Sequence, residues 1–105
     1  MATRTALLVA SACALSLAAA GAQAADALDG RKVAERWCTS CHAVSPNSGG
    51  DSAPPFAAIA NRPVFESEML RLFLTKPHPP MPAMQLTRIE IDNLIAYLQT
   101  LRTAK

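Results

Sequence analysis

All eight prolines of this 105-residue chain lie between Pro46 and Pro82. Proline fixes its own φ, donates no backbone N–H and turns the preceding residue away from helix, so long regular elements are confined to the two flanks. The constraint is tightest at Pro77-His78-Pro79-Pro80-Met81-Pro82, which can be neither regular helix nor central strand. This segment is a stiff loop that presents whatever side chains it carries. Ser45 to Pro55 is turn-forming throughout and reads as a second extended loop.

Helical periodicity marks the flanks. Between Asp26 and Trp37 the small or apolar positions are Gly30, Val33, Ala34 and Trp37, spaced as on one helical face, with Asp26 as N-cap and Asp29 favourable to the dipole. Phe56 to Ala60 predicts a brief helical turn. Phe65, Met69, Leu70, Phe73 and Leu74 predict a second helix over Val64 to Leu74, ended by Lys76-Pro77, with Met69 as a flexible core filler. Thr87 and Glu90 form a capping-box pattern, Leu86 and Ile91 a hydrophobic staple, and Ile91, Leu94, Ile95, Leu98 and Leu101 one apolar stripe. No period-2 run occurs beyond the leader, so the expected fold class is all-α.

The N-terminus reads as a leader. Met-Ala-Thr-Arg is a short cationic start, Ala6 to Ala20 is almost unbroken small apolar sequence, and Ala22-Gln23-Ala24 is a small-x-small cleavage site. The expected organisation is a secretory signal peptide over 1–24 and a single domain over 25–105. A retained anchor is the rival, but the apolar run is shorter than the roughly 20 residues that span a bilayer. A lipoprotein reading through Cys13 is poorly served, because the apolar run continues beyond it.

Cleavage after Ala24 leaves 81 residues, nine basic against eight acidic side chains, and two cysteines, Cys38 and Cys41. One close pair is no disulfide framework. A domain of this size has a marginal apolar core and needs some other staple. The near-neutral charge, without a basic run interleaved with aromatics, gives no sign of nucleic-acid binding.

Cys38-Thr39-Ser40-Cys41-His42 is Cys-x-x-Cys-His, the attachment pattern of haem c. Two thiols three positions apart near a helix end reach two vinyl groups on one porphyrin edge, and the histidine that follows faces the iron. Three rivals exist. A redox dithiol is suggested by Trp37-Cys38, but that motif needs a preceding strand, and Gly30 to Arg36 is helical and polar. Structural zinc needs about four ligands, and His78 is the only obvious supplement. A plain disulfide gives His42 no role.

The chain from Ala25 onward resembles a small bacterial class I cytochrome c. Cys-x-x-Cys-His after a first helix, Ala53-Pro54-Pro55-Phe56, Met81-Pro82 and the closing Leu94-Ile95-Ala96-Tyr97-Leu98 occur in that family's order. The resemblance implies three to four short helices around one covalent haem c, the first and last crossing at Gly30 with Leu94 and Tyr97 packed there. It implies His42 and Met81 as axial ligands, with Met84 and His78 as the alternatives to Met81. It further implies that the Pro54 carbonyl accepts a hydrogen bond from His42, Pro55 being the neighbouring possibility. Trp37, Phe56, Phe65, Phe73 and Tyr97 are candidates for the haem pocket, general packing being the other account of each.

A saturated iron implies electron transfer rather than catalysis, in a periplasmic carrier between a donor dehydrogenase or quinol-oxidising complex and an acceptor oxidase or reductase. The alternatives are a dedicated haem subunit of an oxidoreductase and, without stable Met81 ligation, a gas- or peroxide-reactive protein. Arg36, Arg62, Arg71, Lys76 and Arg88 are candidates to ring the haem edge, although the low net charge argues against strong steering.

Overall fold

The computed structural model describes residues 24–76 and 78–103, so the leader assigned to 1–24 falls, but for Ala24, outside the described residues. Asp26 caps α1 (Ala27–Trp37), its carboxylate accepting from the Leu28 and Asp29 amides at 2.8 and 3.1 Å. Two strands follow, β1 (Ala43–Ser45) and β2 (Ser48–Gly49), paired antiparallel. Three more helices complete the order: α2 (Phe56–Ala60), α3 (Ser67–Thr75) and α4 (Arg88–Thr100). The fold is thus all-α apart from one minimal hairpin, as expected for a cytochrome c fold. No helix among the described residues is long and apolar enough to cross a membrane.

The core is the crossing of α1 and α4. Ala34, Val44, Phe56, Ala60, Leu94, Tyr97 and Leu98 are buried together with Cys38. Gly30 lies directly on α4: a Cβ there would come within 1.9 Å of the Asn93 carbonyl oxygen and 2.9 Å of the Tyr97 Cβ. Close approach is therefore the reason for glycine at this position. The buried Asn93 side chain uses its Oδ1 to accept the Asp26 amide at 2.8 Å, tying the start of α1 to the same helix. The capping box is complete, with Thr87 accepting from the Glu90 amide at 3.2 Å and Glu90 from the Thr87 amide at 2.8 Å.

Helix α3 starts three residues later than its apolar spacing predicts. Val64 lies in a turn after Pro63, and the Phe65 amide bonds back to Arg62 at 3.1 Å, so the helix opens at the better starting pair Ser67-Glu68. None of its residues is buried. It is held to α4 by the Arg71–Asp92 ion pair and by Gln99 to Ser67 at 3.1 Å, with Arg102 over the Phe65 ring. On its apolar side Leu70 and Leu74 pack against the core, while Met69, Leu70, Phe73 and Leu74 line a cavity.

Candidate functional site

Cys38 caps α1, its amide bonding to the Ala34 carbonyl at 2.9 Å, and the chain then makes one more helix-like turn. The Cys41 and His42 amides both reach the Cys38 carbonyl, at 3.3 and 2.9 Å. This turn puts the two thiols and the imidazole side by side along the lining of one cavity. The following loop grips the turn by its backbone: the Gly50 amide bonds to Thr39 at 2.8 Å and the Ala53 amide to Cys41 at 3.0 Å. Gly49 has φ +121°, and a Cβ on it would fall 1.9 Å from the His42 carbonyl, so only glycine lets the hairpin close on the motif.

His42 Nδ1 lies 2.6 Å from the Pro54 carbonyl oxygen. A carbonyl only accepts, so this contact puts the proton on Nδ1 and leaves the Nε2 lone pair for a metal. The Phe56 ring, 5.3 Å away and tilted by 59°, braces the imidazole. Tyr97 stands behind Phe56 at 6.5 Å, and its hydroxyl donates to the Val44 carbonyl, two residues beyond His42.

Two adjoining cavities of about 320 and 430 Å³ share Cys38, His42, Pro54, His78 and Met81. The first is closed by Phe56, Phe65, Phe73, Leu94 and Leu98, with Arg62 and Glu66 its only charged linings among the described residues. The second is bounded by Trp37, Cys41 and the proline loop, with Met84. Met69 lies on the apolar side of α3 as expected, but it lines the first cavity and is 43% exposed rather than filling the core. His78 turns its ring edge-on to Phe73 at 4.7 Å, and Met81 bonds back to it at 3.1 Å, closing the loop on itself. Ile59, Leu70 and Glu66 also line the site and were not anticipated there, whereas Arg62, one of the five cations considered for the haem edge, does line the first cavity. Ile59 sits one helical turn after Phe56 and Leu70 was on a predicted stripe, whereas nothing in the sequence singles out Glu66.

The family described as "Cytochrome C oxidase, cbb3-type, subunit III" matches residues 25–98. Cytochrome c-552 of Bradyrhizobium diazoefficiens is 45% identical over 91 residues, covering 85% of this chain and 88% of that protein. This chain is a c-type cytochrome. No solved structure matches it at a significant level.

As a c-type cytochrome the protein is an electron carrier, and its family implies a haem c. The residues present fit that group. The Cys38 and Cys41 thiols, both free, would carry its attachment and the His42 imidazole and Met81 thioether would face its iron, beside a first-cavity lining that is apolar apart from Arg62, Glu66 and His78. The rival chemistries fare worse. Burial pushes the Cys38 thiol up to about 11, opposite in direction to the low-pKa thiolate of a redox dithiol. Among the described residues no three His, Cys, Asp or Glu side chains are grouped as a metal cluster.

Tyr97 makes this architecture pH-sensitive. Burial raises its phenol above the ordinary 10.0, and the fold holds the neutral, hydrogen-bonding form. Its contribution is complete below the unfolded pKa and is lost as pH rises through the folded one. Tyr97→Phe should cost about 1 kcal/mol near neutral pH, through the lost bond to Val44. It should also flatten the decline of the denaturant midpoint as pH rises above about 10. An equally steep decline in the variant would assign that decline to other groups.

Proposed function

We propose that this cytochrome is a periplasmic carrier that moves single electrons on one haem c, attached through thioethers to Cys38 and Cys41 with His42 and Met81 as axial ligands. The observation that carries the ligand assignment is that His42, on the turn after α1, and Met81, in the loop before α4, each border both cavities. Met84 borders only the second. Bound there, the haem supplies a one-electron ferric/ferrous couple.

The chain's own residues set the properties of that couple. Pro54 fixes the His42 tautomer and raises its basicity. A Met81 thioether favours the reduced state and raises the potential. With both axial positions taken by side chains, no site is left for a gas or a substrate. Phe56, Phe65, Phe73, Leu94 and Leu98 keep water out, which limits rearrangement between redox states. The leader-like Met1 to Ala24 supports export.

His78 is the competing ligand, because it too borders both cavities. Carbon monoxide should leave the spectrum of the native ferrous protein unchanged. Met81→Ala should bind it readily and lower the potential by on the order of 0.1 V or more. Met84→Ala and His78→Ala should do neither. Ready binding by the native protein would replace the carrier with a gas- or peroxide-reactive haem, and the same loss in His78→Ala would move the ligand to His78. The family description favours one second reading, a dedicated haem subunit of an oxidoreductase, which co-purification at fixed stoichiometry would support.

A further inference from the structure

Outside both cavities, one exposed side chain is fully engaged. Asn61 Nδ2 donates to the Ala57 carbonyl at 2.7 Å and to the Leu101 carbonyl at 3.0 Å. Its Oδ1 accepts from the Thr103 amide at 2.8 Å and from the Thr103 hydroxyl at 3.0 Å. A primary amide has two N–H donors and two acceptor lone pairs, so every site on this side chain is taken. All but the bond to Ala57 reach 40 or 42 residues along the chain, to the segment that follows α4. Each residue of that segment is tied down: Leu101 packs against the core, Arg102 lies over the Phe65 ring at 5.1 Å and Thr103 meets Asn61. Neither Asn61 nor any residue of 101–103 lines a cavity.

Asn61 is also the C-cap of α2, a helix too short to hold its shape alone. Pro55 at the start of α2 supplies no side-chain cap, so Asn61 is the side chain that caps this helix. Yet α2 and the residues just before it carry both groups that orient His42, the Phe56 ring and the Pro54 carbonyl. Burial of Phe56 and Ala60 attracts α2 to the core, but apolar burial has no preferred direction and leaves a short helix free to turn or slide. Directional bonds to a distant segment remove that freedom.

We propose that Asn61 is a positioning residue for the haem-binding histidine: it straps the segment after α4 across the end of α2 and so holds Pro54 and Phe56 against the imidazole. The inference rests on His42 as an axial ligand and adds what keeps it aimed. Ferrous holoprotein labelled with nitrogen-15 tests it, because the His42 Nδ1–H exchanges with solvent only when its bond to Pro54 opens. Asn61→Ala should speed that exchange about tenfold, together with the Ala58 and Ile59 amides of α2. The Leu94 and Ile95 amides, at the α1–α4 crossing, should change less than about twofold. A His42 less firmly bonded to Pro54 is a weaker donor to ferric iron, so the reduction potential should move upward. Thr103→Val removes the hydroxyl bond alone and should give a smaller change in the same direction. In the Asn61→Ala background it should add nothing.

An exchange rate at His42 within about twofold of wild type, with the α2 amides accelerated, means that α2 loosens without reaching the imidazole and overturns the proposal. Equal acceleration at Leu94 and Ile95 also overturns it, since Asn61 then acts through global stability alone. If Asn61→Ala gives no holoprotein, Thr103→Val decides by the same comparison of sites. Either failure with a normal His/Met spectrum leaves the carrier reading standing. A wild-type spectrum without histidine ligation sinks both.

Discussion

Cys41→Ala, expressed from the full 105-residue chain, should yield almost no folded protein. The Cys41 side chain is exposed, so its packing and desolvation are worth little, and an exposed substitution away from special features changes stability by only about 0.5 kcal/mol. A large effect can come only through the bond that the thiol makes. The core is small: among the described residues Leu94 and Val44 are the largest side chains that are completely buried, and no residue of α3 is fully buried. The two helices beyond the α1–α4 crossing, α2 and α3, would gain a further packing partner from a covalently attached haem. We expect soluble holoprotein to drop by more than about tenfold, read by covalent-haem staining and far-UV circular dichroism. Cys38→Ser should do the same, with a packing loss added because Cys38 is buried. Recovery of a stable, haem-free helical monomer from Cys41→Ala would refute the account.

Gly30→Ala is the second large effect. Alanine improves helix propensity by about 1 kcal/mol, which alone would stabilise α1. Against this stands a Cβ placed 1.9 Å from a backbone carbonyl, which cannot rotate away as a side chain could. The helices must separate, loosening Tyr97 and stretching the Asp26–Asn93 hydrogen bond. Overpacking of this kind costs about 1–3 kcal/mol and occasionally more, so after the propensity gain a net loss of up to about 2 kcal/mol is expected. The denaturant midpoint of the holoprotein reports it. An unchanged or raised midpoint would mean that the helices do not cross at Gly30.

The parts legible in the sequence are those specified by neighbours along the chain. Asp26 and the Thr87–Glu90 box mark the helix starts through bonds spanning two or three residues, and the Ile91 to Leu98 stripe marks the buried face. The proline loop announces itself by composition. What escaped notice depends on distant partners. Asn93 reads as a polar interruption of an apolar stripe, and only the fold reveals the Asp26 amide lying against it. Gly49 and Gly50 read as loop filler, yet they let the hairpin backbone rest on the His42 and Ser40 carbonyls. Met69 carries the same apolar signal whether it faces a core or a cavity, since periodicity gives the direction of a side chain and not what lies there.

The clasp between α1 and α4 joins positions 67 residues apart, Asp26 and Asn93, so the attachment motif, the second cavity and the proline loop all lie inside one closed loop of chain, and the first cavity adds Leu94 and Leu98 from beyond it. The entropy of closing such a loop grows only logarithmically, each doubling of its length adding about 0.6 kcal/mol. Residues can therefore be inserted between Ser45 and Pro55, or between α3 and α4, at small cost to closure. The clasp itself tolerates no such change: its geometry is fixed to within a fraction of a methyl group at Gly30. Variation that retunes the cofactor's surroundings and variation that endangers folding are thereby assigned to different stretches of the same short chain.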